Sequence, residues 1–115
     1  MTRFFSLTLG AVIAIAGCSD SSVSPPVSPT NLVVAPLGAG AHLNWNDNSS
    51  DETEFVIMRQ QMGVDAAMTE VASVPFNGVQ FHDEPVTAGA TYLYQVIATN
   101  EGGEGESNQV TFVAP

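Results

Sequence analysis

The sequence predicts an all-β fold, a seven-stranded antiparallel β-sandwich. Three observations predict it. Short runs that alternate apolar and polar residues recur at close spacing from Thr30 to Val113. Turn-forming clusters separate them, among them Gly38-Ala39-Gly40, Gly63-Val64-Asp65, Asn77-Gly78 and Asn100-Glu101-Gly102-Gly103. No helical pattern follows the N-terminal apolar stretch. The run Tyr92–Asn100 reads as the central strand, because it is rich in β-branched and aromatic residues. Its face Tyr92, Tyr94, Val96 and Ala98 organises the rest of the chain.

Residues 1–17 read as a signal peptide. Arg3 supplies a basic start, and Phe4–Ala16 is almost wholly apolar. At about 13 residues, that run is short of the ~20 needed to span a bilayer. It ends in Ile15-Ala16-Gly17-Cys18, which resembles the lipobox of bacterial lipoproteins, with isoleucine where leucine is usual. The resemblance implies cleavage before Cys18 and acylation of that residue. More than one acyl chain gives stable anchoring where a single one does not. The implied location is the cell envelope, with the domain facing the periplasm or the exterior. Ser19 favours the outer over the inner membrane by analogy with enterobacterial sorting. Residues 18–28, the lipidated cysteine and a Ser/Pro-rich stretch, are expected to form a disordered tether.

The strands follow from residue 29 onward. Asn31–Ala35 places Leu32 and Val34 on one face, and Pro36 to Gly40 makes a turn. Ala41–Asn46 places Leu43 and Trp45 inward. Asp47–Thr53 is a polar turn. Glu54–Gln60 directs Phe55 and Ile57 one way, Val56 and Met58 the other. Met68–Val74, Val79–Asp83, Tyr92–Asn100 and Ser107–Val113 complete the set. The expected core is Leu32, Val34, Leu43, Trp45, Phe55, Ile57, Val71, Phe81, Tyr92, Tyr94, Val96, Ala98, Val110 and Phe112.

The chain from about Ser28 to Val113 is similar to fibronectin type III modules, of immunoglobulin-like fold. The similarity rests on an ordered set of pieces. They are the proline-led Leu32-Val33-Val34, Leu43-Asn44-Trp45, Asp51-Glu52-Thr53-Glu54-Phe55-Val56-Ile57, Phe81-His82-Asp83, Gly89 to Asn100, and Glu104-Gly105-Glu106-Ser107-Asn108. The resemblance implies that Trp45 packs between the sheets. It also implies that Tyr92 forms a tyrosine corner, its hydroxyl bonding back to the Glu84–Ala88 connection. Loss of that hydroxyl is expected to leave a buried carbonyl without a donor.

Charge excludes some functions. Twelve acidic residues face two basic ones, Arg3 and Arg59, with no lysine. Such a surface repels phosphate backbones, so nucleic acid is not a partner. The single cysteine excludes an internal disulfide and a cysteine-rich zinc site.

No catalytic residues, cofactor or metal are expected. His42 and His82 lie on different strands and alternate outward. Gly102-Gly103-Glu104-Gly105 opens no helix and is surrounded by glutamates, so it reads as a turn and not a phosphate loop. The loops Asp47/Asn48/Asp51/Glu52 and Glu101/Glu104/Glu106 match no closed calcium-loop spacing. Asn100–Ser107 lacks the Arg-Gly-Asp of adhesion modules. One surface stands out. Val56, Met58, Leu93 and Ile97 alternate away from the core on strands that neighbour each other in the resembling fold, so they are a candidate partner surface. The expected function is non-catalytic: a protein-binding, spacer or scaffold unit at the envelope. The alternative is an accessory carbohydrate-binding module working with secreted polysaccharide-degrading enzymes.

Overall fold

Alternating faces and frequent turns produce two antiparallel sheets in the computed structural model, which describes residues 23–115. The signal peptide, Cys18 and the first part of the tether lie outside the described residues. The strands are β1 (Thr30–Leu37), β2 (Gly40–Asn46), β3 (Glu54–Gln61), β4 (Thr69–Pro75), β5 (Gln80–Asp83), β6 (Thr91–Asn100), β7 (Gly103–Glu106) and β8 (Val110–Val113). One sheet runs β1-β2-β5. The other runs β8-β6-β3-β4, with β7 also paired to β6.

Eight strands stand where seven are expected. The difference lies in the closing segment. β7 pairs with Ile97–Asn100 and β8 with Thr91–Tyr94, so the two succeed each other along the β6 edge not taken by β3. Between them Ser107 maintains the ladder. Its N–H donates to Val96 O at 2.9 Å, and its hydroxyl accepts from Val96 N–H at 3.0 Å. Asn108 then turns to the other sheet. Its side chain accepts from Leu32 N–H at 3.0 Å and donates to Leu32 O at 3.1 Å. Leu32 sits where the β1–β2 register slips between Thr30 and Val33, so Asn108 satisfies backbone groups that the ladder misses.

β1 also continues through Pro36 and Leu37, where a turn is expected. It is an edge strand, and an edge tolerates a proline.

The core lies between the sheets. Leu32, Leu43, Trp45, Phe55, Ile57, Tyr92, Tyr94, Val96, Ala98 and Phe112 are buried. Val34, Val71, Phe81 and Val110 are only half-buried against it. Ala41 and Ala114 join the core, although alanine gives little hydrophobic signal in sequence. Each large apolar side chain so buried contributes roughly 1.5–3 kcal/mol. Trp45 and Phe55 meet at a tilted 5.6 Å between ring centres.

The tether reading needs correction in its second half. Residues 23–28 pack along β7 instead of standing free. Pro26 and Pro29 are buried. Asn100 Nδ2 donates to Ser24 O at 3.0 Å, and Asn48 Nδ2 donates to Ser28 O at 3.0 Å and Thr30 Oγ1 at 2.8 Å. The glycine-rich segment is where this strap crosses: a Cβ on Gly105 would lie 2.6 Å from Pro26 O, and one on Gly102 would strike Val23 O. Composition hides the packing. Serine and proline show no apolar period, yet a proline ring is apolar and carries no N–H that burial would leave unpaired.

Candidate functional site

The alternation that builds the core also carries charge inward. On β3 the face of Phe55 and Ile57 continues to Arg59. On β5 the face of Phe81 continues to Asp83. On β6 it runs Tyr92, Tyr94. Arg59 stands directly opposite Tyr94 in the five-stranded sheet, and Asp83 opposes Ala41 in the three-stranded one. The three polar groups meet between the sheets.

Asp83 Oδ2 accepts from Arg59 Nη1 at 3.0 Å and from the Tyr94 hydroxyl at 2.6 Å. Arg59 Nη1 reaches Asp83 Oδ1 at 3.3 Å as well. The guanidinium carbon lies 5.5 Å from the centre of the Tyr92 ring, in cation–π range. Arg59 Nε has no hydrogen-bond partner. Burial would depress the Arg59 pKa, but the Asp83 hydrogen bond and charge more than offset it and raise the value. Burial first, then the hydrogen bond and charge of Asp83, pushes the Tyr94 phenol far above its ordinary range. Tyr94 therefore remains a neutral donor, and Asp83 is held by a cation. All three groups are committed to each other, so the cluster works as a strut between sheets.

Tyr92 is the neighbouring anchor. Its hydroxyl accepts from Thr87 N–H at 2.8 Å, within the connection expected from sequence. The direction differs from expectation: the hydroxyl serves an amide donor and not a carbonyl. The buried Trp45 Nε1 has no hydrogen-bond partner, where a core tryptophan usually finds one.

The Asp47–Glu52 loop engages most of its carboxylates within the protein, although Glu52 Oε1 is buried without a hydrogen-bond partner. Asp47 Oδ1 accepts from Ser49 N–H at 3.0 Å, the Ser49 hydroxyl donates to Asp51, and Glu52 Oε2 accepts from Asn77 N–H at 2.9 Å. Partial burial raises the Asp47 pKa, with Glu52 adding to it. Among the described residues no three His, Cys, Asp or Glu side chains are placed to share a metal ion.

The candidate partner surface is not an open patch. Ile97 is buried at 8 % exposure, and Val56, Met58 and Leu93 are half-buried. Met68 Sδ accepts from Gln109 Nε2 at 3.9 Å. Val113, directed outward on β8, is exposed.

Register produces one pairing that alternation could not give. His42 and His82 are opposite each other on the outer face of the three-stranded sheet, their ring centres 5.7 Å apart.

The fold defined by these sheets is that of fibronectin type III domains. The FN3 domain of human collagen XX superposes with a TM-score of 0.65 at 18 % identity, covering 83 % of this chain and 98 % of that one. The FN1–FN3 domains of chicken CNTN1 give a TM-score of 0.70 at 20 % identity, covering 84 % of this chain and 34 % of that one. Pectate lyase PelI from Erwinia chrysanthemi, in complex with tetragalacturonic acid, gives 0.65 at 20 %, covering 74 % of this chain and 28 % of that one. Compared by sequence, the chain matches no family model and no curated protein.

Proposed function

We propose that the protein is a non-catalytic bacterial envelope lipoprotein, anchored through Cys18, whose fibronectin type III-fold domain is a protein-binding, spacer or scaffold unit. The observation that carries this reading is the state of the inner polar groups. Arg59, Asp83 and Tyr94 are engaged with one another between the sheets as a structural strut. Catalysis needs an acid, base or nucleophile held beside a substrate. The fold supports a display role, although fold alone does not fix function. The outer membrane is the proposed location, on the strength of Ser19.

The alternative is an accessory carbohydrate-binding module; the pectate lyase similarity shows a shared fold and no more. Against it, Phe76 is the sole aromatic among the described residues that is fully exposed, where a sugar platform uses several.

The test is a pull-down with a soluble form beginning at Ser19, against envelope proteins and insoluble polysaccharides. Retention of one protein supports the binding role. Retention on a polysaccharide replaces it with the alternative. Incorporation of labelled fatty acid, abolished by Cys18→Ser, tests the anchor separately.

A further inference from the structure

His42 and His82 each place one ring nitrogen against a side-chain oxygen. His82 Nε2 lies 2.6 Å from Glu84 Oε1, and His42 Nε2 lies 3.1 Å from Gln80 Oε1. A neutral ring that donates from Nε2 to such an oxygen keeps its lone pair on Nδ1. Both Nδ1 atoms are buried and have no hydrogen-bond partner. Two acceptors in one small cluster therefore lack a donor, which costs free energy.

We propose that His42 and His82 together bind a divalent transition-metal cation of the Zn²⁺, Ni²⁺ or Cu²⁺ class, one nitrogen from each ring. Three observations support it besides the unpaired nitrogens. The first is span. A ring centre lies roughly 3 Å from a metal bonded at ~2.1 Å to one of its nitrogens, so a separation of 5.7 Å is within the span of one ion. The second is support around the rings. Histidines that bind metals donate their other N–H to a carboxylate or carbonyl, as His82 does to Glu84 and His42 to Gln80. The third is charge. The chain carries a net charge of −10, and Arg59, the one cationic Lys or Arg side chain among the described residues, is engaged with Asp83 between the sheets.

The two rings stand on a half-exposed face, the His82 side chain being 33 % exposed. With two protein ligands, water completes the coordination, which makes the site exchangeable and not a folding staple. Imidazole ligands select borderline cations over Ca²⁺ and Mg²⁺. Because the metal needs neutral rings, protons compete with it. The charged group beside the pair on this face is Glu84, while Asp83 points the opposite way, into the strut.

The test is calorimetric titration of the chain carrying Cys18→Ser, so that the thiol does not compete, with Zn²⁺ and Ni²⁺ and with Ca²⁺ as control. The expected result is one Zn²⁺ per chain, with affinity falling at least about tenfold in His42→Gln and in His82→Gln. Undiminished binding in the double variant would assign the metal to surface carboxylates and overturn the site. So would absence of binding at millimolar Zn²⁺. Imidazole NMR signals of the unsubstituted histidines supply a second readout: both rings shift together on Zn²⁺ addition if the site exists, and neither shifts if it does not.

Discussion

Arg59 and Asp83 lie 24 residues apart in sequence and on different sheets, yet their side chains meet at 3.0 Å between those sheets. Asp83 is only 8 % exposed. The pair ties the two layers together at a point where both strands would otherwise present another apolar residue.

Asp83→Asn is therefore expected to destabilise the domain by about 2–3 kcal/mol, the range for a hydrogen bond to a charged group whose loss leaves its partner uncompensated. The urea midpoint should fall at unchanged m-value. A midpoint equal to that of the unsubstituted chain would show that the strut contributes no net stability.

Tyr94 gives an alkaline signature. Its pKa in the folded chain is raised above the ordinary value of 10.0 by burial and by Asp83. The folded state thus holds the phenolic proton more tightly than the unfolded state does. The stability linked to it is complete below about pH 10 and declines as the pH rises above that value. Urea midpoints taken from pH 8 to pH 11 should show this decline, and Tyr94→Phe should flatten it. At neutral pH the same substitution is expected to cost about 1–2 kcal/mol, because Asp83 loses a donor.

Tyr92→Phe removes the acceptor for Thr87 N–H. The expected cost is about 1–3 kcal/mol, the penalty for an unpaired amide at a part-buried site. Hydrogen exchange adds a specific readout: the Thr87 amide should lose protection while β6 amides exchange only as global stability dictates.

Gly105→Val is expected to dislodge the strap formed by residues 23–29, since a Cβ there would press on Pro26 O and Ser28. Limited proteolysis should cut the variant between Val23 and Pro29, where the unsubstituted chain resists. A chain beginning at Thr30 should melt at a lower temperature for the same reason.

Ile97→Glu should act on stability before it acts on any partner. The residue is 8 % exposed, and burying a carboxylate without a cation is costly. Val113→Glu, at 63 % exposure, should leave the melting temperature within experimental error. Comparing the two by thermal melts separates a folding role from a surface role on this face.

Much of the architecture was legible from alternation and turns. The inward runs of β2, β3 and β6 gave Leu43, Trp45, Phe55, Ile57, Tyr92, Tyr94, Val96 and Ala98, because a period of two reports directly which face a side chain takes. The same period points Arg59 and Asp83 inward. Apolar pattern alone gives no reason to follow it past Ile57 or Phe81 to a charged residue. The split of the closing segment was not legible, since Ser107 and Asn108 look like any polar turn until their hydrogen bonds to Val96 and Leu32 are drawn.

The sequence by itself determined the all-β class, the order of strands and most of the core, since these depend on local propensity and on the face each residue takes. Only the tertiary structure decided register and closure. It set Arg59 against Asp83, His42 against His82, and the proline strap against Gly105. Those contacts join residues far apart along the chain. Their energy depends on distances of a few ångströms, which no pattern within a single strand encodes.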